Sequence, residues 1–306
     1  RELVVLTAID GYFQVVSSQS RVTALEAQLL RAKTLHDRAL DLKSAGAVPG
    51  IDVLRAEVEL RTVEQRLIQA KNVVQKDKLS LARVIGLPLD QEFSLTDTLP
   101  PEGQPIPSRD QLLAQAYDRR ADALAAEARV RAAEEEVKAA RAKGLPKVKV
   151  AGDYGANGPS PTDAHGTYSM RVEVRMPILD KSIDSQALEK EAILRQRQAE
   201  RDSLHGRIEM EVRSSMLDLD STAEQLGVAR QSLTLAQQQL DQAQDRFSAG
   251  VANNLEVVQA QEAVALANEG VIQGLYGFNI ARALLGSATG SAQRSISEFF
   301  PGSSSK

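Results

Sequence analysis

Residues 43–57 read KSAGAVPGIDVLRAE, and residues 247–261 read FSAGVANNLEVVQAQ. The two segments superpose without a gap when the first is shifted by 204 positions, which places Gly46 on Gly250. The bulky residues of the flanking stretches coincide under the same shift: Val15, Val22, Leu29, Val53, Leu60, Leu67, Val74 and Leu81 land on Leu219, Leu226, Leu233, Val257, Val264, Val271, Phe278 and Leu285. A self-match of this extent indicates an internal repeat.

Each repeat is predicted to be a helical hairpin that turns at its Ser-Ala-Gly segment. Gly46 and Gly250 each interrupt a long helical pattern, and glycine favours the left-handed backbone that ends many helices. Asp52 and Glu256 then lie in the first turn of the returning helix, where a negative charge suits the helix dipole. The dipole accounts for at least part of the role of both acids.

Long helices with a seven-residue period surround these turns. The sequence predicts helices over roughly 1–44, 51–85, 181–248 and 254–285. Bulky residues recur every seventh position in the last two, at Val212, Leu219, Leu226, Leu233, Leu240 and Phe247 and at Val257, Val264, Val271, Phe278 and Leu285. Such a period favours supercoiled helices, and a 65-residue helix spans about 100 Å. An ordinary helical bundle explains the bulky residues equally well but the helix length less well.

A stripe of small residues accompanies the bulky one and would let neighbouring helices approach closely. On the fourth helix it consists of Ala260, Ala267, Gly274 and Ala281. A shorter Ala-rich helix is predicted at 109–143, with Ser108 as N-cap and Gly144 as its end. The Pro-rich segment 95–107 is predicted to be a crossing loop.

Two strands are predicted between the repeats, joined by a loop at 155–167. Apolar residues alternate with charged ones for about ten residues on each side of this loop. In a soluble sheet the charged face would meet solvent, whereas about ten tilted residues also suffice to cross a bilayer in a β-barrel. One hairpin cannot close a barrel, so the membrane interpretation requires several copies of the chain.

Composition excludes several function classes. The net charge of −4 and pI of about 5.6 argue against a nucleic-acid binder. The absence of cysteine excludes disulfides and thiolate chemistry. The sequence has no run of about 18 apolar residues, so no transmembrane helix is predicted. The apolar start lacks the basic residues and the cleavage site of a signal peptide. Arg1 is interpreted as a truncation point within a helix.

No catalytic constellation is found in the sequence, and no cofactor or metal site is predicted. His36 and His205 fall in phase with the bulky positions of two helices, and His165 lies in the predicted loop, so none has metal-ligand spacing to another. The run Glu134–Glu136 is interpreted as a solvated helix face. Gly155–Gly158 has no following helix and is not predicted to hold phosphate.

These segments together resemble the TolC-type outer-membrane efflux proteins, also called outer membrane factors. The resemblance rests on the two Ser-Ala-Gly turns with their [Ile/Leu]-[Asp/Glu]-Val continuations, on Arg175–Asp180 where a strand meets a helix, and on the Ala-Leu-Leu-Gly end at 283–286. It covers about 1–290. The resemblance implies a mainly α fold with a membrane β-hairpin, in which helical hairpins build an α-barrel and the strands join a trimeric outer-membrane β-barrel.

The resemblance also implies a division of the chain: a truncated first repeat at 1–94 with its tip turn near 44–51, a crossing loop and equatorial helix at 95–144, an outer-membrane β-hairpin at 145–177, a second repeat at 178–290 with its tip turn near 248–255, and a flexible tail at 291–306. The first repeat lacks the family's opening helix and hairpin, so the gene product is expected to extend upstream of Arg1.

The function implied is a passive exit duct in a tripartite efflux or type I secretion system. It would be a homotrimer without enzymatic activity, set in outer-membrane lipid and extending through the periplasm, and it would contact a periplasmic adaptor and, indirectly, an inner-membrane pump. The adaptor-contacting tips are Ser44, Ala45, Gly46, Ser248, Ala249 and Gly250. The pore-mouth candidates are Asp52, Asn253, Asn254, Glu256 and Gln259. The candidates facing the barrel lumen are Lys149, Asp153, Arg171, Glu173 and Arg175.

One position departs from the family pattern. Gln259 stands where the best-known member has a second acid, which weakens any cation-binding or gating role for an acidic ring. The alternative function is a periplasmic adaptor or a structural coiled-coil scaffold. Adaptors carry one helical hairpin between β-rich domains, whereas this chain has two helical hairpins around one pair of strands.

Overall fold

A computed structural model of the chain describes residues 2–95, 107–160, 162–163, 165–178 and 181–291. Its elements in chain order are α1 (Glu2–Ser44), α2 (Gly50–Ile85), α3 (Arg109–Arg119), α4 (Ala121–Ala142), β1 (Lys147–Asn157), β2 (His165–Arg175), α5 (Lys181–Ser248) and α6 (Asn254–Ala288). The four predicted long helices and the two strands are thereby confirmed. Parts of the predicted crossing loop (96–106), of the strand-to-helix junction (179–180) and of the tail (292–306) lie outside the described residues.

The chain divides into two compact units. The first consists of 1–119 with 208–306, and the second of 120–207. The continuous helix α5 belongs to the second unit up to residue 207 and to the first from there on.

The first unit contains the two predicted helical hairpins. α1 packs against both α2 and α6. Near the turns, both hairpins share one apolar core, which contains Leu35, Ala39, Val53, Ala56, Ala236, Leu240, Ala243, Phe247, Val257, Ala260 and Val264. A second cluster lies where α1 begins and α6 ends, around Ile9, Phe13, Val16 and Ala283. The heptad pattern therefore places its bulky and small residues inside a shared core, as expected for coiled-coil packing.

The small residues of α6 allow the close approach that the sequence predicts. A Cβ built on Gly274 would lie 3.2 Å from Cδ1 and 3.4 Å from Cα of Leu226 on α5. Gly270, one turn away, leaves more room, because its added Cβ would lie 3.9 Å from the nearest atom, Cβ of Ala229. Gly274 is thus the point at which a side chain would hold the two helices apart.

The Ala-rich helix predicted at 109–143 is wrong in one respect, because it is two helices. Arg120 has extended backbone (φ −67°, ψ 127°) and caps α4, whose first turn holds Asp122. The Arg120 guanidinium donates to both Asp122 oxygens, at 3.0 and 2.9 Å, and Ala123 N donates to Asp122 Oδ1. No Gly or Pro marks this break, so helix propensity does not reveal it. Ser108 does precede α3, and Gln111 Oε1 accepts from its backbone N–H.

Other boundaries differ by a few residues. α6 continues past the expected end near Gly286 to Ala288, and the left-handed residue that follows it is Gly290 (φ 69°). β1 and β2 extend into the predicted loop, so His165 begins β2, opposite Asn157, instead of lying in a loop. The glycines in this stretch suggest a loop, but main-chain pairing continues through them.

The second unit combines α4, the two strands and the first part of α5. α4 buries one face of small residues, which are Ala123, Ala126, Val130, Ala133, Val137 and Ala140. Charged residues beside this face are tied to α5 by ion pairs, including Arg141–Glu191 at 2.6 Å and Glu136–Lys190 at 2.8 Å. Glu136, part of the acidic run, thus belongs to an exposed ion pair, in line with a solvated face.

Candidate functional site

The two tip turns have the same backbone geometry. In the first, Gly46 N donates to Lys43 O at 3.0 Å and Ala47 N to Leu42 O at 2.9 Å. In the second, Gly250 N donates to Phe247 O at 3.1 Å and Val251 N to Arg246 O at 3.0 Å. Gly46 and Gly250 have φ of 72° and 73°, so both turns are Schellman motifs that need glycine. The repeat seen in the sequence is therefore also a repeat of conformation.

The helices that leave the two turns begin differently. Asn253 caps α6, and its Oδ1 accepts from Leu255 N at 3.1 Å and Glu256 N at 3.4 Å. At the start of α2 the equivalent cap is Pro49, which has no side-chain cap bond. Asp52 N, the equivalent of Glu256 N, donates instead to Pro49 O at 3.1 Å, so only the second helix start has a side-chain cap.

Buried polar contacts join the two helix starts. Asp52 is 3% exposed and pairs with Arg55 Nη1 at 3.2 Å. Asn254 is fully buried, and its Nδ2 donates to Asp52 O at 2.9 Å. These two pore-mouth candidates therefore lie inside the packed base of the tips in the single chain.

The other pore-mouth candidates lie on the surface. Asn253, Glu256 and Gln259 are exposed, and Glu256 pairs with Arg246 across the second turn at 3.2 Å. The structure thus brings Asp52 and Asn254 together and leaves these three apart from them.

The predicted adaptor-contacting residues are all exposed at the ends of the hairpins. They are Ser44, Ala45, Gly46, Ser248, Ala249 and Gly250. Both serine hydroxyls donate back into their helices, Ser44 to Asp41 O at 2.7 Å and Ser248 to Gln244 O at 2.6 Å. The tips consequently present small side chains and backbone on a well-defined surface.

All five lumen-facing candidates lie on one face of the strand pair. The antiparallel register places Lys149 opposite Glu173 and Asp153 opposite Ser169, whose Oγ donates to Asp153 at 2.7 Å. Arg171 and Arg175 follow on the same face, since residues two apart on a strand point the same way. Arg175 also donates to Glu173 at 2.6 Å.

The opposite face of the strand pair is apolar and uncovered in the single chain. It is formed by Val148, Val150, Gly152 and Tyr154 opposite Val174, Val172, Met170 and Tyr168. The apolar side chains on it are at least 60% exposed. A face of this kind needs lipid or a partner to cover it.

A polar junction of α1, α2 and α6 was not predicted from the sequence. Arg21 donates to both oxygens of Glu269, at 2.7 and 2.5 Å, and Arg66 donates to both of Glu262, at 3.0 and 3.3 Å. Gln28 makes a long bond of 3.4 Å to Glu59. The available signal was polar residues spaced by seven within otherwise apolar helices.

The carboxylates of this junction differ in their pKa values. The hydrogen bond from Arg21 holds the pKa of Glu269 below its ordinary value. Burial raises the pKa of Glu59, and the nearby negative charge of Glu262 raises it further. The folded structure therefore favours the charged form of Glu269 and disfavours the charged form of Glu59.

Further up the same helices, Tyr276 donates to Asp10 Oδ1 at 2.6 Å. Burial and this bond raise the pKa of Tyr276 to about 12.

Within the residues that the structure describes, no group of three or more acidic, histidine or cysteine side chains is arranged to hold a metal ion. None of the described helices combines the length and the apolar character needed to span a membrane.

The comparisons with known proteins agree with this architecture. The sequence profile of the outer membrane efflux protein family matches residues 112–291. None of the functionally curated proteins matches the chain at a significant level.

Several solved structures share the fold. They include the open state of the Neisseria gonorrhoeae MtrE outer membrane channel (TM-score 0.69, 16% identity, 95% of this chain and 66% of that one). The outer membrane protein VceC of Vibrio cholerae is similar over 95% of this chain and 70% of its own (TM-score 0.65, 17% identity). A membrane protein from Pseudomonas aeruginosa is similar over 95% and 69% (TM-score 0.63, 20% identity).

The chain thus spans about two thirds of the length of the structures that it resembles. The family and these neighbours are outer-membrane and channel proteins rather than enzymes. The family profile matches more than half of the chain. The fold shared with the solved structures includes the chain's helices and its strand pair. The chain belongs to the outer membrane efflux protein family.

Proposed function

We propose that the chain is a subunit of a trimeric outer-membrane channel that serves as a passive exit duct in a tripartite efflux or type I secretion system. Its part in transport would be to enclose a path and to open at the helical tips. No bond chemistry is needed for this role, and we propose that the protein is not an enzyme.

The observation that carries the proposal is a pair of open apolar faces in the first unit. Exposed apolar residues recur along α2 at Ile51, Leu54, Val58, Ile68 and Leu79, and along α5 at Met210, Leu217, Val228 and Leu235, each 48–70% exposed. Two helices that already pack on one side and keep a second apolar stripe are suited to a closed ring of helices. We propose that α2 of one copy packs on α5 of the next.

The strand pair supports the same assembly. Its apolar face would meet lipid, and Lys149, Asp153, Arg171, Glu173 and Arg175 would face a watery lumen. Strands from several copies would be needed to close a barrel, because two strands alone leave unpaired edges. The family's place in the outer membrane is consistent with this arrangement.

The tips would form the partner-binding end. Small exposed residues at 44–46 and 248–250 leave room for the helical hairpin of a periplasmic adaptor, and an inner-membrane pump would act through that adaptor. Asp52, Asn253, Asn254, Glu256 and Gln259 would lie at or just behind the pore mouth. Asp52 and Asn254 are buried, and they would support the mouth from behind rather than line it.

The test is the mass and conductance of the full-length protein in detergent. A protein mass of three chains and ion conductance in a planar bilayer are expected. A monomer that stays in solution without detergent and conducts no ions would overturn the proposal in favour of a soluble adaptor or scaffold.

A further inference from the structure

Polar residues interrupt the contact between α2 and α6 at intervals of seven. On α2 they are Asp52, Glu59 and Arg66, and on α6 they are Asn254, Gln261 and Asn268. Contacts join residue 52 to 254 and residue 66 to 262, so the two helices run parallel from the tips. Asp52 therefore meets Asn254 directly, whereas Arg66 contacts Glu262, the neighbour of Gln261 in the sequence.

The first and last polar positions of α2 are bonded to α6, although Arg66 binds Glu262 and not Asn268. Asn254 donates to Asp52 O at 2.9 Å, and Arg66 binds Glu262 at 3.0 Å. Glu59, the middle polar position of α2, makes no such bond to α6. Its hydrogen bond is the long one of 3.4 Å from Gln28 of α1.

Gln261, the middle polar position of α6, has an unsatisfied amide. The residue is 3% exposed, and neither its Nε2 nor its Oε1 has a hydrogen-bond partner. Val257, Ala260 and Val264 around it share the apolar core with α2. A buried amide without partners destabilises the packed state, and a polar residue in a coiled-coil core lowers stability in return for specificity.

The charges at this height act in the same direction. Glu59 is half-buried and faces Glu262 of α6, with Arg66 of its own helix and Gln28 of α1 as the compensating groups. Repulsion between the two carboxylates weakens the contact near Gln261, and the Arg66–Glu262 ion pair offsets part of that effect.

Water has a route to this point. A groove of about 460 Å³ runs along the junction of α1, α2 and α6, and Gln28, Arg66 and Gln261 help to line it. A small separation of the helices would therefore hydrate both amide atoms of Gln261 from the groove.

We infer that Gln261 makes the α2–α6 contact a separable joint, at which α6 parts from the α1–α2 hairpin when the tips rearrange. This inference rests on the proposed channel function, since the rearrangement is that of the channel mouth. The packed state loses free energy at Gln261, whereas the parted state recovers the hydration of its amide, so the free-energy gap between the two states is smaller than a fully apolar contact would give.

The experiment measures backbone hydrogen exchange over 254–272 and single-channel open probability in the full-length protein. Gln261→Leu removes the unpaired amide at similar volume and should slow exchange in this segment about tenfold and lower the open probability. Gln261→Glu adds a charge beside Glu59 and Glu262 and should change both readouts in the opposite direction. Gln239→Leu, at an exposed position of α5, is the matched control and should change neither.

Exchange of α5 amides in the same samples reports whether each variant is folded. If wild-type protein conducts but Gln261→Leu and Gln261→Glu leave exchange unchanged or shift it in the same direction, the joint is wrong and the channel stands. If wild-type protein forms no conducting assembly, the proposed function itself fails. In that case exchange alone still decides whether the α2–α6 contact is the weak one.

Discussion

Asn254 of α6 donates a hydrogen bond of 2.9 Å from its side-chain amide to the backbone carbonyl of Asp52 on α2. Both residues are buried, and they lie in the first turns of the two helices that return from the tips. The bond joins the two repeats through residues that are 202 positions apart in the chain. It sets the height at which the two helical hairpins meet.

Loss of this bond should loosen both helix starts together. Asn254→Ala is expected to lower the free energy of unfolding by about 1 kcal/mol, a modest value because alanine also removes the unpartnered Oδ1. Asn254→Asp should cost more, since a carboxylate cannot donate to a carbonyl. Hydrogen exchange should rise at both 50–56 and 254–258. Asn253→Ala, which removes only the α6 cap, should raise exchange at the second segment alone.

Gly274 should tolerate no bulky residue. Gly274→Val is expected to destabilise the protein by about 1–3 kcal/mol, because the new side chain would push against Leu226. Combined with Leu226→Ala, the loss should be smaller than the sum of the two single losses, as a double-mutant cycle in thermal unfolding would reveal.

Gly270 provides the matched control for this prediction. Its added Cβ meets only Ala229 at 3.9 Å, so Gly270→Ala should be neutral or stabilising by up to about 1 kcal/mol. Equal destabilisation by the two changes would show that the contact with Leu226 does not set Gly274 apart from Gly270.

The ion pair between Arg21 and Glu269 should make stability depend on pH. The folded pKa of Glu269 is below its ordinary value, so the pair stabilises fully above the unfolded pKa and is lost as pH falls through the folded one. Arg21→Gln should cost about 0.5–1 kcal/mol at pH 7, because both side chains are about a third exposed.

This cost should shrink as the pH is lowered below the ordinary glutamate value of 4.5. Urea titrations of both proteins at several pH values measure it. A cost that stays constant down to pH 2 would mean that the packing of the arginine, not its charge, stabilises the contact.

The two faces of the strand pair should respond differently to the same substitution. If the proposed barrel forms, Val172→Arg places a charge in lipid and should cost about 2–4 kcal/mol of membrane stability, seen as lost insertion into outer-membrane vesicles. Ser169→Arg faces the other way, opposite Asp153, and should insert normally. Equal behaviour of the two variants would argue that the sheet is soluble.

Local sequence pattern determined the helices, the turns and the strands of this protein. The helix and strand periods show which side of an element is buried, and Gly46 and Gly250 mark the left-handed turns. The elements and the turns can therefore be predicted without a structure. The shift of 204 positions likewise predicted two equivalent hairpins. The burial of Asp52 could not be predicted from the sequence, because a carboxylate in a first helical turn suits an exposed helix start equally well.

Tertiary structure alone decided how the hairpins meet. At the start of the two helices, Asp52 of α2 contacts Asn254 of α6 and not its repeat equivalent Glu256. The unpaired amide of Gln261 has the same origin. Each depends on which distant segment lies opposite, and a side chain's cost in a contact is set by its partner there, which the spacing of residues along one helix does not specify.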